Sequence, residues 1–519
     1  MKRIYTIGLA FLLTFSIVGF SLAASATPGT ISTDVFVMGL QASPNTTQVV
    51  ADYWPAAGGA SPTVSITRPL TGYGGYEFTA ASSGLPDGWA GSMIVSADHP
   101  VAAVGELMLS SGSATDGKRA DYYSALTEPS AVLYFPFATL DRIGTGGDII
   151  QVTRFTLQNT SASPVTATIS YINRAGTNDG DMPVTIPANG ATTFDLSVPG
   201  TGVPNLTATA YYAANDFWTG GLIVTAAQPV LAGAVHNIWQ QYSGSYESLS
   251  SGGETIYLTN IDRRVYHTSS VCNTTSGRWA GLTSLVVQNF DLVNSVNITV
   301  TFYSKTTGAS RSFVDTLPAG GAHGYNVRMG AETPGGAQWY RDPTFWDDIP
   351  ESGNTTNSCT DGRMLWVGSA VVQGEPGANI AAVVINQRVD TYNASMYASV
   401  TDDDAGQAVA FPVAYRAPSG SSARWNLLRV MNVGTAAASD IDFYFYNQNG
   451  TLQMSWLNQT AARYAIVDNA NLKYTTFSTL GTNWTGTIVV TSDQPIVATS
   501  DVLWGSSRYG AYNAVPFTP

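Results

Sequence analysis

The sequence predicts an all-β chain of four tandem β-sandwiches of immunoglobulin-like type behind a cleaved leader. Three observations predict it. A tryptophan-headed segment of fifteen residues is written three times, as WAGSMIVSADHPVAA from Trp89, WTGGLIVTAAQPVLA from Trp218 and WTGTIVVTSDQPIVA from Trp484. A second shared element, a strand ending in Asn followed by a short turn and an aromatic strand, precedes each copy. Beyond residue 26 the apolar residues alternate in short runs bounded by Gly, Pro, Asn and Ser, with no helical period, which is the pattern of strands and turns.

The first element is the leader, residues 1–26. Lys2 and Arg3 form a positive start, Gly8 to Phe20 is an almost unbroken apolar run, and Ala24-Ser25-Ala26 offers small residues for a peptidase. The run is too short to serve comfortably as a lasting membrane span, and no second one follows, so no transmembrane anchor is expected. The mature chain is expected to be secreted or extracellular, free or held at the cell surface by other means.

The tryptophan segment reads as a β-hairpin. Tryptophan and proline stand eleven residues apart in Trp89 to Pro100, Trp218 to Pro229 and Trp484 to Pro495. A degenerate copy begins at Trp366, with Gly368, and reaches its proline one residue early. After Gly486, Ile488 and Val490 point one way and Thr487, Val489 and Thr491 the other, the period of two that marks a strand. Ser492-Asp493-Gln494 supplies turn formers, and proline opens the next strand, where a missing N–H costs least. The glycines Gly91, Gly220, Gly368 and Gly486 suit a bulge or a close backbone approach. The tryptophan is expected to plug the end of each sandwich core; stacking on a ligand is the competing role.

The other elements repeat around it. LQNTSASPVTATISYIN, VQNFDLVNSVNITVTFYS and VMNVGTAAASDIDFYFYN carry Asn159, Asn289 and Asn432 where a side chain can bond nearby backbone and end a strand. Opening strands read YFPFA at Tyr134, IYLTN at Ile256 and AFPVA at Ala410, and the terminal AVPFTP looks like the start of another. Exits are tyrosine-bearing, such as DYYSA and AYNAV. The expected units are residues 27–129, 130–254, 255–405 and 406–519, the third enlarged by an insertion. This plan resembles bacterial secreted or cell-surface proteins built from tandem immunoglobulin-like repeats. The resemblance implies an extracellular structural or adhesive role and brings no catalytic residues with it.

Composition narrows the partners. With 23 basic and 36 acidic residues the net charge is −13, and removing Lys2 and Arg3 makes it 21 − 36, or −15. Such a chain repels phosphate backbones, so nucleic acid is excluded as a partner. Charged residues are 11% of the chain against roughly 25% in ordinary globular proteins, yet aromatics at 11% argue against disorder. No Gly-x-Ser-x-Gly or His-Glu-x-x-His occurs, and His99, His236, His267 and His323 are scattered without metal-ligand spacing. No enzyme and no cofactor are expected.

Three local features remain. Cys272 and Cys359 are the two cysteines, expected in an exported chain to form a disulfide. Asp402, Asp403 and Asp404 lie at the third boundary, where a structural Ca2+ or a solvated linker face are both open readings. The insertion QWYRDPTFWDDIPESGNTTNSCTDGR interleaves Trp339, Tyr340 and Trp346 with Asp347 and Asp348. Rings stack on apolar sugar faces while carboxylates accept hydroxyl protons, so this loop reads as a lid over its own sandwich, a polysaccharide-binding surface or, through its paired carboxylates, a glycoside-hydrolysing site. The expected function is a non-enzymatic structural or adhesive protein whose partners are other copies or cell-surface proteins, with carbohydrate binding as the alternative.

Overall fold

A computed structural model describes residues 5–9, 31–86, 88–109, 120–126, 128–142, 149–198, 206, 217–239, 243–266, 278–305, 308–327, 365–388, 393–419, 423–467, 469–504 and 508–519. About two-thirds of these lie in strands, which pair antiparallel, and only a few in helical turns, so the all-β sandwich class holds. The first set is β1 (Tyr5–Leu9), β2 (Ile31–Gly39), β3 (Thr46–Pro55), β4 (Val64–Thr71), β5 (Gly75–Phe78), the one-turn helix α1 (Ala80–Ser83), β6 (Gly91–Ala97), β7 (Val101–Leu109) and β8 (Ala120–Ser124). These make two four-stranded sheets, β1-β6-β3-β4 and β5-β2-β7-β8.

The same order recurs along the chain. The second set is β9 (Val132–Arg142), β10 (Ile149–Asn159), β11 (Val165–Asn173), β12 (Asn178–Ile186), β13 (Ala191–Asp195), β14 (Phe217–Ala226), β15 (Leu231–Trp239) and β16 (Ser243–Glu247). Here β9 pairs with β14 along most of its length and with β10 at its end, so the two layers join in one curled sheet, β12-β11-β14-β9-β10-β15-β16, with β13 on β10. The third set, β17 (Thr255–Tyr266), β18 (Arg278–Asn289), β19 (Val296–Ser304), β20 (Ser310–Leu317), β21 (Ala322–Asn326), β22 (Leu365–Gly374), β23 (Ile380–Arg388), β24 (Asn393–Ala398) and β25 (Val400–Thr401), repeats that path. So does the fourth: β26 (Gly406–Ala417), β27 (Arg424–Asn432), β28 (Ala438–Asn447), β29 (Leu452–Ala461), β30 (Trp484–Trp504), β31 (Arg508–Asn513) and β32 (Val515–Pro516). In this copy the hairpin is a single 21-residue strand, β30, running through its turn.

Alternation sets which face of each outer strand is buried. In β19, Val296, Ile298, Val300 and Phe302 point into the core, while Asn297, Thr299 and Thr301 point out. The exit strands depart from that rule: β8, β24 and most of β16 and β31 are buried on both faces. The reason lies in how the repeats meet. β8 packs on β16, β16 on β24, β24 on β31, and β31 back on β8, so the exit strands close a ring around a central axis. The cores interlock in the same sense. Ala234 of the second repeat enters the first core, and Val383, Ile385 and Met396 of the third enter the second. Ala511 of the fourth enters the third, and Phe36, Val104 and Tyr122 of the first enter the fourth.

The tail differs from its sequence reading. Val515 and Pro516 do not begin a further opening strand; they pair back onto Ala410 and Val409 of β26. Val400 and Thr401 do the same on Tyr257 and Ile256, and Leu249 does so on Tyr134. Each of these residues follows its exit tyrosine by three or four positions, so AVPFTP ends the fourth repeat.

Candidate functional site

The repeated tryptophans take one geometry. Trp218, Trp366 and Trp484 are buried and Trp89 is half-buried. Each sits edge-on to an aromatic ring of the neighbouring strand: Tyr53 with Trp89 at 6.1 Å, Tyr171 with Trp218 at 6.4 Å, Phe302 with Trp366 at 6.0 Å, and Phe445 with Trp484 at 6.1 Å. Edge-to-face contact puts the positive rim of one ring on the negative face of the other. The indole Nε1 of Trp218 donates to Asp179 at 2.8 Å and that of Trp484 to Asn447 at 3.0 Å.

The glycine two positions on is required by crowding. A Cβ at Gly91, Gly220, Gly368 or Gly486 would stand 2.0–2.1 Å from a carbonyl oxygen of the adjacent strand. At Gly91, Gly368 and Gly486 it would also strike the repeat's own indole, at 2.5–2.6 Å. The ring folds back over the glycine, and only a residue without a side chain leaves that room.

The asparagines tie two turns together. Asn159, Asn289 and Asn432 are fully buried. Asn432 Nδ2 donates to Ala436 O at 2.8 Å and Ala461 O at 3.1 Å, while Oδ1 accepts from Gly434 N at 2.9 Å. Asn159 bonds Ser163 O, Pro187 O and Ser161 N, and Asn289 bonds Asn294 O, Pro318 O and Asp291 N, in the same way. The sequence pattern pointed to the local turn only; the second carbonyl, about 30 residues downstream, has no signal in it.

The exit tyrosines do a parallel task at the axis. The register of the opening strands slips at Phe137, Asn260 and Val413, which strands backbone groups from the ladder. Tyr246 Oη donates to Phe137 O at 2.6 Å and accepts from Phe137 N at 3.2 Å. Tyr397 Oη does the same at Asn260, at 3.2 and 3.0 Å, and Tyr512 Oη donates to Val413 O. The residue after each tyrosine reaches the axis. Asn513 Nδ2 donates to Ala398 O at 2.9 Å and to Glu247 Oε1 at 3.2 Å, and Ser124 Oγ donates to Asn513 O at 3.0 Å. Ser124 N also donates to Glu247 Oε2 at 3.3 Å, so one knot joins all four exits. Burial, with Asp404 nearby, pushes the Glu247 carboxyl up to about 7.

Charged groups sit between neighbouring repeats. Glu106 is buried and takes Arg424 of the fourth repeat, whose guanidinium lies 3.4 Å over the Tyr415 ring and 4.2 Å from that of Trp504. Tyr122 Oη donates to the same carboxylate at 2.8 Å. His236 Nε2 stands 2.9 Å from Asp121 across the first and second repeats. Asp501 accepts from Asn260 at 2.6 Å and Tyr509 at 2.9 Å, with Arg429 at 3.8 Å, across the third and fourth. Burial, the largest cause, pushes the Asp501 carboxyl up to about 6. Glu106, His236 and Asp501 occupy one repeat position, set by the pairing of their strands with the exits. The one sequence signal they carry is an ionisable residue inside a largely apolar run; of the three, only His236 stands out in the sequence, as one of four scattered histidines.

The other sequence-derived candidates fall elsewhere. Trp339, Tyr340, Trp346, Asp347, Asp348, Cys272, Cys359 and His267 lie outside the described residues. Asp402, Asp403 and Asp404 form an exposed single turn. Asp402 accepts from Tyr257 Oη, far away in the chain, at 2.6 Å, and Asp404 accepts from Thr401 N at 2.8 Å. Among the described residues no group of three or more His, Cys, Asp or Glu could hold a metal ion. His99 is a turn residue 3.0 Å from Asp98, and His323 is tied to Asp315 at 2.8 Å. No helix among the described residues is long and apolar enough to cross a membrane. The chain matches no protein-family model, and no curated protein is significantly similar to it.

Proposed function

We propose that the chain is a non-enzymatic structural or adhesive protein, exported through its leader and working outside the cell, with other copies or cell-surface proteins as partners. The observation that carries this reading is how the repeated residues are spent. The tryptophans, glycines, asparagines and exit tyrosines all serve packing or backbone pairing, and the exits lock four repeats into one block. The low charge and acidic balance fit a protein that meets surfaces and polymers, not phosphate backbones.

The test is localisation followed by binding. Fractionation of the producing cell should find the protein outside, with residue 27 as its N-terminus, and purified protein should bind no glycan on a polysaccharide panel. Glycan binding lost in Trp339→Ala and Trp346→Ala would replace this reading with a carbohydrate-binding one. Protein retained in the cytoplasm would end it.

A further inference from the structure

The first repeat takes its opening strand from the leader. In β1, Thr6, Ile7, Gly8 and Leu9 pair with Ser96, Val95, Ile94 and Met93 of β6. Val132, Leu133, Tyr134 and Phe135 pair with Thr225, Val224, Ile223 and Leu222 of β14 in the same register. Counted from the motif glycine, Leu9, Phe135, Leu258 and Phe411 all oppose the residue two positions on. The three later repeats draw this strand from the mature chain, and Phe135, Leu258 and Phe411 are fully buried in it. A cut after Ala26 removes β1 and leaves residues 27–30 ahead of β2, too few to span a seven-residue strand at about 3.4 Å per residue and also connect.

What the cut exposes is an unprotected edge. β6 reads GSMIVSA, with no charge and no proline, and Met93 and Val95 lie against the core. The outer edge strands are guarded. β4 carries Arg68, β12 carries Asp179 and Asp181, and β20 carries Arg311 and Asp315, while β29 breaks register with β28 at three places. Charges and bulges are what keep sheet edges from pairing with other chains. β6 has neither.

We propose that in the mature chain the β6 edge joins two copies, β6 pairing antiparallel with β6 of the second copy about a twofold axis at Ile94. A strand pairs antiparallel with its own copy in a self-complementary register, so one edge supplies both halves of the contact. The second copy is favoured over the tail of the same chain, because Val515 and Pro516 are already paired on β26. The proposal rests on the reading of residues 1–26 as a removed leader.

The experiment compares sedimentation of residues 27–519 with that of the full chain. The mature chain should run as a dimer and the full chain, its slot filled by β1, as a monomer. Ser96→Lys in residues 27–519, at the half-buried position on the same face of β6 as Ile94, should halve the mass with the strand content by circular dichroism unchanged, and a synthetic YTIGLAF peptide should do the same by competition. Should residues 27–519 not fold alone, the full chain is folded first and then cut at a protease site placed after Ala26. A mature chain that stays monomeric, with or without binding the peptide, overturns the proposal. So does a dimer that neither the substitution nor the peptide dissolves, or a full chain that dimerises equally. Export is read separately, from the N-terminus found in cell fractions, so either idea can fail alone.

Discussion

A tryptophan and a glycine two residues apart build the same joint in each repeat, and the joint has a measurable cost of removal. Trp218→Ala deletes a fully buried indole and its bond to Asp179. Loss of a large buried aromatic costs about 3–5 kcal/mol, transfer and cavity terms together. Denaturant unfolding should show that loss for Trp218 and a smaller one for half-buried Trp89. Equal, slight effects at both would mean that the indoles do not seal the cores. Gly486→Ala puts a Cβ 2.0 Å from Tyr446 O, and overpacking of this kind costs about 1–3 kcal/mol. At this scale the sequence was informative: a motif written three times, with glycine at fixed distance, already marked crowding. The partners of the asparagines beyond their own turns were not legible, because a carbonyl far along the chain leaves no residue-type signature.

The exit strands are the elements that decide the assembly. They fit by alternating bulk and absence of bulk: a Cβ at Gly510 would lie 2.6 Å from the Tyr122 ring, and one at Gly244 would lie 2.4 Å from Met396. Tyr122 has nowhere to go, since its ring stacks on Trp504 and its hydroxyl is held by Glu106. Gly510→Leu should therefore destabilise the fourth repeat's contact with the first by about 1–3 kcal/mol or more, seen as a lower melting temperature. An unchanged melting temperature would place β31 away from β8. The exits were recognised in the sequence as tyrosine-bearing ends, but their burial on both faces was not. Five or six residues give too short a pattern to tell a strand covered once from a strand covered twice. The tail AVPFTP was misread for a related reason: its Val-Pro-Phe matches the opening strands, while its spacing from Tyr512 matches Leu249 and Val400.

At the scale of the whole molecule, closure of the ring buries carboxyl groups, and this sets a pH dependence. Burial, the largest cause, raises Glu247 and Glu77 to about 7 and Asp501 to about 6. A carboxyl raised in the fold contributes its full stability below its unfolded pKa and loses it as pH rises through the folded value. Melting temperature should therefore be higher at pH 5 than at pH 8, and Glu247→Gln should shrink the difference. Hydrogen bonds hold Asp181, Asp291 and Asp493 below the ordinary value of 3.8, so their contribution is lost only in stronger acid. A melting temperature that rises steadily from pH 5 to 8 would contradict this.

Tandem sandwiches in sequence suggest a string of modules, and nothing in the local patterns says that the string bends into a ring. The contacts that close it are spread over Glu106, His236, Asp501 and the exits, each of which reads alone as an ordinary strand residue. Small-angle X-ray scattering tests closure most directly. A compact body of this length has a radius of gyration of about 23 Å. The ring predicts a value close to that; a value about twice as large would mean four sandwiches strung end to end and would contradict it.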